Sequence, residues 1–535
     1  DAGDAVTFVL TAENQGSEPA FQVTLTDLPP AELTGCTVDS VTDGTDTPIA
    51  TTGDLTNGLL LGVPLAENDG MPAGGGAPFG ADTAFVTVTC TLAASVQPGQ
   101  VLVNAADVVW APTATSTGFF PPETDDASVT VAEPSIAKAI TGVVPAYQAS
   151  APFGNNEPVH IGEVVEYTVT IEVPEGTSTN ATLFDQLDQG LAFVAVDSIV
   201  ADAGVTTDIA GGFPGVLGAA AITATNAAAV NQDRRLTLDF GTLTSAADND
   251  PTNNTITIVS RAVVLNASNN NRGDRRNNRA DWRYDSPAGG QAQVRASAPN
   301  VRIREATLEL DKQISPAFGD AGDTLRIALT LRHDNGPSNA DAFDVVLADA
   351  IGAGFTFAGN LTVEAGCTAP PTTGPSEAGG VVTAAWSRFN DGESCTISFD
   401  VTVDLGVSAG SVLENCADVT WQSLLAADQP LDAAPTNTLS VERTGDPSDP
   451  GGSANIYRAE DCAEAMVADV AINKTLLSTS EAHTDFDEVR PAAADLTIGE
   501  ELTFELIVVL PEGSTTQLIV TDSLPFAPGV VAATA

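Results

Sequence analysis

Residues 161–176 read IGEVVEYTVTIEVPEG, and this stretch decides the fold class. Apolar side chains alternate with polar ones from Val165 to Glu172, which is the period of a half-buried antiparallel strand. The glycine before the strand and the Pro-Glu-Gly triplet after it are turn residues. No sustained helical period occurs elsewhere, and the Ala-rich stretch 218–229 is expected to be a loop or a short edge element. The pattern predicts an all-β protein.

The same pattern occurs four times along the 535 residues. Each copy begins with a glycine that precedes an acid, namely Gly3, Gly162, Gly322 and Gly499. A second strand ends in an aspartate 23 to 27 residues later, namely Asp27, Asp185, Asp349 and Asp522. Three copies close with an Asn-x-Ala-Asp-x-x-aromatic motif that begins at Asn104, Asn278 and Asn415. Repeats of this kind predict tandem immunoglobulin-like β-sandwich domains in an elongated array.

Turn-rich joints near Glu133-Pro134 and in residues 445–453 set the expected domain boundaries. We expect a sandwich lacking its first strand at 1–133, a sandwich with long insertions at 134–305 and a further sandwich at 306–442. A linker at 443–465 and an incomplete sandwich at 466–535 complete the prediction. Because residue 1 already leads into a strand, we expect the sequence to be a window on a longer protein.

The charge balance limits the classes of partner. Acids outnumber bases 71 to 20, which gives a net charge of −51. A nucleic-acid-binding protein needs the opposite sign, and so does adhesion to an anionic bilayer through basic patches. No run of 18 apolar residues occurs, so no membrane-spanning segment is predicted. The composition is typical of a soluble, self-repelling chain that attracts cations.

The chain has three lysines, Lys138, Lys312 and Lys474, and each lies in the first strand of a copy. A buried lysine loses its proton readily, and the neutral amine can attack an asparagine carboxamide beside a carboxylic acid. The sequence therefore predicts two autocatalytic isopeptide sets: Lys138, Asn278 and Asp185, and Lys312, Asn415 and Asp349, with Asp281 and Asp418 as second choices of acid. The alternative is a lysine that marks the domain joint and pairs with an acid, with the asparagine capping a turn.

The pieces IGE-x-V-x-Y-x-V, LPEG and TDSLP and the late N-x-A resemble the tandem extracellular repeats of large bacterial surface proteins. Those repeats are β-sandwiches classed as a domain of unknown function, and they are similar to the isopeptide-forming domains of fimbrial proteins. The resemblance implies an extracellular, cell-surface stalk, fibre or adhesin and not an enzyme. In the resembled fimbrial domains, a lysine of the first strand joins an asparagine of the last strand beside an Asp or Glu.

Six cysteines indicate three disulfides formed in an oxidising compartment. Cys36 and Cys90 occupy places in the first copy that correspond to Cys367 and Cys395 in the third, so we pair 36 with 90 and 367 with 395. Cys416 and Cys462 remain, and their pairing would tie the last strand of the third domain to the linker. Free buried thiols are the alternative. A zinc site is not favoured, because CxxC is absent and the chain has three histidines.

Two charged features suggest contacts with partners. Residues 261–304 hold nine arginines against three acids, and we expect a docking surface for an acidic neighbour at Arg272, Arg275, Arg276, Arg279 and Arg283. The alternative is a solvated loop with weak local ion pairs. Acidic turns at 43–46, 248–250, 446–449 and 485–488 are candidate Ca²⁺ ligands, although none fits an EF-hand loop, and solvated turns are the alternative. The metal is therefore unknown, and Ca²⁺ is the one cofactor considered.

No catalytic constellation occurs: the three histidines are isolated, and GxSxG, HExxH and phosphate-loop motifs are absent. We therefore expect a structural component of an extracellular bacterial fibre, stalk or surface filament, strengthened by disulfides and Lys–Asn bonds, with further copies or repeats as partners. The first alternative is an adhesin module for glycan or Ca²⁺-bridged ligands. The second is a subunit that polymerises head to tail, with a strand of another chain filling the gap in the first domain.

Overall fold

The computed structural model describes residues 1–68, 82–334, 340–428, 433–448, 454–481 and 496–523. The chain forms two compact units, which are described separately. The first comprises residues 1–159, 163–303 and 431–441, and the second comprises 160–162, 304–430 and 442–535. Within the described ranges, no helix has the length and hydropathy needed to cross a bilayer. The all-β sandwich fold expected from the alternating pattern is confirmed.

The first sandwich, in the first unit, has eight strands. They are β1 (Ala5–Glu13), β2 (Phe21–Asp27), β3 (Leu33–Asp43), β4 (Thr51–Asp54), β5 (Gly58–Leu61), β6 (Thr83–Leu92), β7 (Val101–Ala111) and β8 (Glu123–Thr130). One sheet has the order β1-β6-β3 and the other β4-β5-β2-β7-β8. Alternate residues such as Val23, Val86 and Val88 fill the space between the sheets.

The second sandwich, also in the first unit, carries the strand pattern quoted above as β11. Its elements are β9 (Ser135–Val144), β10 (Glu157–His160), β11 (Val164–Glu172), β12 (Gly176–Leu187), β13 (Leu191–Ala201), β14 (Val205–Thr207), α1 (Gly212–Gly218), β15 (Ala221–Thr223), β16 (Arg235–Ser245), β17 (Thr255–Val264), β18 (Arg275–Arg276), β19 (Asn278–Asp285), β20 (Gln291–Ser297) and β21 (Val301–Arg304). The sheets are β13-β17-β11-β9, β14-β16-β12-β19-β20 with β15 beside β16, and β10-β21-β18.

Burial in the second sandwich follows the predicted alternation. Val165, Tyr167, Val169 and Ile171 of β11 are all buried. The Ala-rich stretch supplies the short edge strand β15, followed by a 3₁₀ turn at Ala229–Asn231. Residues 433–441 also pack on this sandwich, where the backbone N–H and the hydroxyl of Thr436 donate to the Asp233 carboxylate.

The third sandwich lies in the second unit. Its strands are β22 (Leu308–Ser315), β23 (Phe318–Gly319), β24 (Thr324–His333), β25 (Ala342–Ala350), β26 (Phe355–Val363), β27 (Thr373–Ala378), β28 (Val381–Phe389), β29 (Ser394–Val403), β30 (Val412–Gln422) and β31 (Arg458–Val467), with a 3₁₀ turn at Ala426–Asp428. The sheets are β22-β24-β29-β26 and β23-β31-β30-β25-β28-β27.

The expected linker at 443–465 is wrong for its second half. Residues 458–467 form β31, which pairs with β30 along the whole strand and extends the sheet of the third sandwich. Small apolar residues alternate with exposed charges in β31, so its inner face fits the core. Tyr457, just before the strand, is buried and stacks on Trp421 with ring centroids 5.5 Å apart. The Pro/Gly/Asp-rich stretch conceals this return of the chain from a reading of composition.

The described part of 466–535 after β31 forms a two-stranded antiparallel sheet of β32 (Ala471–Thr479) and β33 (Leu502–Val509). Most side chains of both strands are exposed or half-exposed. The pairing places Lys474 of β32 opposite Leu506 of β33.

Within the first unit, the Pro-Glu-Gly turn after β11 contacts the start of the first sandwich. The N–H of Ala2 donates to the carbonyl of Glu175, and the N–H of Glu175 donates to the Asp1 carboxylate at 3.1 Å. The N–H of Thr177 donates to the carbonyl of Val96 at 2.9 Å. Three hydrogen bonds thus fix the turn at 174–177 against two loops of the first sandwich.

Within the second unit, the other Pro-Glu-Gly turn repeats this contact atom for atom. The N–H of Ala321 donates to the carbonyl of Glu512, and the N–H of Glu512 donates to the Asp320 carboxylate at 3.2 Å. The N–H of Ser514 donates to the carbonyl of Val407 at 2.9 Å. The Asp-Ala-Gly-Asp sequences at 1–4 and 320–323 therefore act as equivalent acceptors for a Pro-Glu-Gly turn.

Candidate crosslinking sites in the sandwich cores

Lys138 projects from the edge strand β9 into the core of the second sandwich. It lies opposite Val169 in the pairing of β9 with β11, and its side chain is fully buried. Its Nζ donates a hydrogen bond to the carboxylate of Asp185, and it lies 5.4 Å from the centroid of the Tyr167 ring. An amine and a carboxylate on facing sheets are thus in direct contact in the interior.

Asn278, the first residue of β19, shares this position. Asp185 of β12 is paired with Ala280 of β19, and Asn278 lies two residues before Ala280, so alternation directs both side chains to the same face of the sheet. Asn278 is completely buried, and neither atom of its amide makes a hydrogen bond of normal geometry. The amide lies close enough to the Asp185 carboxyl to lower its pKa.

The third sandwich contains the same arrangement. Lys312 of β22 lies opposite Leu329 of β24, and its Nζ donates to the carboxylate of Asp349 of β25. Asp349 is paired with Ala417 of β30, two residues after Asn415. The side chains of both Lys312 and Asp349 are fully buried. The structure therefore brings together each lysine, aspartate and asparagine that the sequence grouped into a set.

Burial is the largest influence on the ionisation of these pairs. Desolvation lowers the pKa of Lys138 and Lys312, and the facing aspartates raise it by less. Desolvation raises the pKa of Asp185 and Asp349, and the lysine and asparagine neighbours lower it by less. Both shifts favour a neutral amine beside a neutral carboxylic acid. A neutral amine is the form of lysine that acts as a nucleophile.

A backbone donor that the sequence analysis missed completes the site in the third sandwich. The N–H of Gly352 donates to Oδ1 of Asn415 at 2.9 Å, while Nδ2 of Asn415 has no partner. A Cβ on Gly352 would lie 2.1 Å from the carbonyl oxygen of Glu414, so the close approach of the two chains requires glycine. The signal in the sequence is a glycine three residues after the aspartate of the set.

The first sandwich has the aspartate and the asparagine of such a set without a lysine. Asp27 is paired with Ala106, and Nδ2 of Asn104 donates to Oδ2 of Asp27 at 3.2 Å. Both side chains are buried, and Oδ1 of each has no hydrogen-bond partner. Burial raises the pKa of Asp27, and the bond from Asn104 lowers it by less.

The third lysine, Lys474, is in a different environment. Its Nζ lies 2.6 Å from Oδ1 of Asp522 and 4.3 Å from the centroid of the Phe504 ring. The side chains of Lys474 and Asp522 are about one-third exposed, at 33% and 35%. This pair therefore has the partners of the other two sets without their burial.

The second-choice acids differ from the first choices in their contacts. Asp281 is buried beneath three arginines: its carboxylate lies 3.4 Å from Arg279, 3.6 Å from Arg283 and 2.9 Å from Arg295. Asp418 is paired in register with Glu460 of β31, and burial and that acid raise its pKa. The lysines Lys138 and Lys312 bond to Asp185 and Asp349 instead.

The arginines of the expected docking surface divide into two groups. Arg279 and Arg283 surround Asp281 on β19, and the Arg283 guanidinium also lies over the Phe184 ring. Arg272, Arg275 and Arg276 belong to the loop around β18, where Arg276 donates to Asn270 and to the carbonyls of Asn269 and Arg275. Much of this positive charge is engaged locally, and the docking surface stays a prediction.

The disulfides in the structure are Cys36–Cys90, Cys367–Cys395 and Cys416–Cys462, the pairs expected from their positions. Cys36–Cys90 joins β3 to β6, and Cys416–Cys462 joins β30 to β31. By loop entropy alone, each closure contributes about 3.5–4 kcal/mol. The third disulfide fixes the strand that the composition suggested was a linker.

Carboxylates of the acidic turns accept bonds from their own loops. Asp43 accepts the N–H groups of Thr45 and Thr47, and Asp446 accepts that of Ser448. The turn at 485–488 lies outside the described residues. Among the described residues, the one group with three ligand atoms close together is Glu414, Cys416 and Cys462, and its two sulfurs form a disulfide. Ca²⁺ binding stays a hypothesis from composition.

Comparisons with known proteins agree with this geometry in fold. Residues 309–432 match the model of a domain of unknown function, DUF7933. A search of curated protein sequences found no significant match.

Solved structures with a similar arrangement of strands come from bacterial surface proteins. They include the C-terminal domain of the AgI/II polypeptide BspA of Streptococcus agalactiae, with 12% identity and a TM-score of 0.25 over 56% of this chain and 93% of that one. BcpA, the major pilin subunit of Bacillus cereus, has 9% identity and a TM-score of 0.24 over 78% and 88%. The T6 backbone pilin of serotype M6 Streptococcus pyogenes has 11% identity and a TM-score of 0.21 over 96% and 97%.

Proposed function

We propose that this chain is a load-bearing segment of an extracellular, cell-surface fibre or stalk whose sandwiches are closed by Lys138–Asn278 and Lys312–Asn415 isopeptide bonds. The observation that carries the proposal is the burial of each lysine against an aspartate, with an otherwise unsatisfied asparagine amide beside them. A buried, unbonded amide costs about 1–3 kcal/mol. Conversion of that amide into a crosslink gives the arrangement a purpose that an ordinary ion pair lacks.

The groups in contact are those that a self-contained amide exchange requires. The neutral amine of lysine attacks Cγ of asparagine, and the protonated aspartate donates a proton to the carbonyl oxygen and polarises it. The proton lost by the amine passes through the aspartate to Nδ2. The Cγ–Nδ2 bond then breaks, ammonia leaves, and the aspartic acid is regenerated. The net change is one new amide bond and one molecule of ammonia, with no oxidant, metal or cofactor consumed.

The position of these bonds suits a mechanical role. In the second sandwich, Lys138 lies on β9, and Asn278 begins β19 in the opposite sheet. In the third, Lys312 lies on β22, and Asn415 lies on β30 in the opposite sheet. A covalent bond between an opening and a late strand carries tension directly between the sheets, so the residues between them bear little of it. The three disulfides add further covalent closure within the sandwiches.

The intact mass of the full chain tests this proposal. We expect a mass about 34 Da below that calculated from the sequence, after correction for disulfides, because each bond releases one ammonia of about 17 Da. Lys138→Arg and Lys312→Arg should each restore about 17 Da, and digestion should yield peptides joined at Lys138–Asn278 and Lys312–Asn415. A chain at its calculated mass in which both sandwiches are folded would overturn the crosslinks.

An aromatic cluster favours an adhesin as a second candidate function. Trp110 at the end of β7 stacks on Phe120 with ring centroids 5.3 Å apart. Phe119 and Phe120 are 50% and 44% exposed. Exposed stacked rings offer a surface for the apolar faces of sugars. Binding of the full chain to a glycan array that is lost in Trp110→Ala and kept in Phe318→Ala, which removes an equally exposed ring elsewhere, would support this function. Equal binding by the two variants would contradict it.

A further inference from the structure

The first sandwich has an open sheet edge where the other two sandwiches have a lysine-bearing strand. In the second sandwich, β11 lies between β17 and β9, and in the third, β24 lies between β29 and β22. The equivalent strand β1 pairs with β6 alone among the described strands. Its other side presents unpaired backbone donors and acceptors, which can template the addition of a strand.

Burial marks the place that the absent lysine would cover. Val169, Leu329 and Leu10 each lie seven residues after the glycine of their copy, counting from Gly162, Gly322 and Gly3. Val169 and Leu329 face Lys138 and Lys312 across the pairing, and each is 1% exposed. Leu10 is only partly buried. The core of the first sandwich is therefore less covered at the position opposite which a lysine would lie.

The buried polar groups at this position have the charge that a lysine would neutralise. Oδ1 of Asp27 and Oδ1 of Asn104 are buried without a hydrogen-bond partner. The corresponding Asp185 and Asp349 each accept a bond from a lysine Nζ. An ammonium group that reached Asp27 from a strand beside β1 would satisfy the carboxylate.

We propose that the open edge of β1 is the binding site for a lysine-bearing β-strand whose sequence pattern is that of β22. The pattern of β22 is chosen over that of β9 because the first and third sandwiches share the Asp-Ala-Gly-Asp start and a disulfide at corresponding places. The strand adds to β1 through main-chain hydrogen bonds and places its lysine Nζ against Asp27. This inference rests on the proposed function for its covalent step, in which Nζ attacks Cγ of Asn104 and ammonia leaves with Nδ2.

The test uses the full chain and a fluorescent synthetic peptide with the sequence of residues 306–316, ATLELDKQISP. We expect fluorescence anisotropy to show binding that is about tenfold or more weaker when methionine replaces the lysine of the peptide, because the methionine leaves the Asp27 carboxylate unpaired. Asp27→Leu should abolish this preference for lysine, since the apolar side chain fills the site without charge. Absence of binding, or equal binding of the two peptides, would overturn the site.

The covalent step has a separate readout. An adduct at the summed mass less about 17 Da, mapped to Asn104 and absent in Asn104→Ala, supports bond formation at this site. An adduct at any other residue would contradict it. The intact mass of the untreated chain reports on the Lys138 and Lys312 bonds in the same sample. Loss of about 34 Da without peptide binding therefore overturns the strand site alone, whereas binding without that loss overturns the crosslinks alone.

Discussion

The backbone N–H of Gly352 donates a 2.9 Å hydrogen bond to the carboxamide oxygen of Asn415, beside the buried Lys312–Asp349 pair. Attack by an amine on this carboxamide would place negative charge on that oxygen, and a fixed N–H stabilises such charge as it develops. The second sandwich has Asp188 at the equivalent place, three residues after Asp185, and the N–H of Asp188 donates to the carbonyl of Asn277 instead. The two crosslinking sites therefore differ by one donor.

We predict that the Lys312–Asn415 bond forms faster than the Lys138–Asn278 bond. Removal of one such donor from an enzyme costs about 100- to 1,000-fold in rate, so a difference of about 100-fold is expected. Peptide mapping of the chain at short times after synthesis measures the extent of both bonds in the same molecules. Equal rates would contradict a role for the donor.

Gly352→Ala should slow the bond at Asn415 specifically. The added Cβ meets the Glu414 carbonyl at 2.1 Å, which forces the two chains apart and lengthens the hydrogen bond. The bond at Lys138–Asn278 is the internal control, because Gly352 lies in the other unit. Loss of both bonds would indicate general misfolding, and retention of the bond at Asn415 at its original rate would contradict the prediction.

Asp349→Asn should destabilise the second unit and block its crosslink. The substitution leaves Lys312 buried without its carboxylate, and loss of one partner of a buried ion pair costs about 3–5 kcal/mol. Urea unfolding, followed by the fluorescence of Trp386 and Trp421, measures the change. The matched control is Lys312→Met combined with Asp349→Leu, which removes both charges and should recover most of the loss. An unchanged midpoint for Asp349→Asn would contradict the burial argument.

Asp27→Asn should have the opposite sign and stabilise the first sandwich at neutral pH. Burial raises the folded-state pKa of Asp27 above its ordinary value of 3.8, so the unfolded chain ionises first as the pH rises. Stability contributed by the protonated form is thus present below pH 3.8 and is lost as the pH rises through the folded pKa. The variant should gain about 1–3 kcal/mol at pH 7, the cost of an unsatisfied buried group, and almost nothing at pH 3.

Thermal unfolding of the variant and the parent chain across pH 3–7 tests this prediction. Asp107→Asn is a suitable control, because Asp107 lies on the same sheet in an intermediate environment and accepts a bond from the Thr124 hydroxyl. A gain for Asp27→Asn that is equal at both ends of the pH range would show that its charge is not the cause.

The sequence alone was sufficient for the strands and for the membership of the lysine sets, because both follow from local alternation and from a position repeated in each copy. Gly352 could not be found in this way, since its importance depends on a contact with Glu414 that is 62 positions away in the chain. The strand β31 was missed because Pro, Gly and Asp between 445 and 453 indicate a linker, whereas pairing with β30 decides the outcome. Long-range pairing outweighs composition at that point.

The Pro-Glu-Gly contact supports a last prediction, in which Gly176→Ala loosens the first unit. Gly176 has a φ of +123°, and a Cβ there would lie 2.5 Å from the Val96 carbonyl oxygen, which accepts the N–H of Thr177. The alanine must therefore push the turn away and break that hydrogen bond, so the Thr177 amide should exchange with solvent faster. Gly289→Ala is the matched control, because Gly289 also has a positive φ, of +96°, but nothing lies within 4 Å of its Cβ position. The control carries the backbone strain alone, and faster exchange of Thr177 in both variants would show that strain, and not the contact, is responsible.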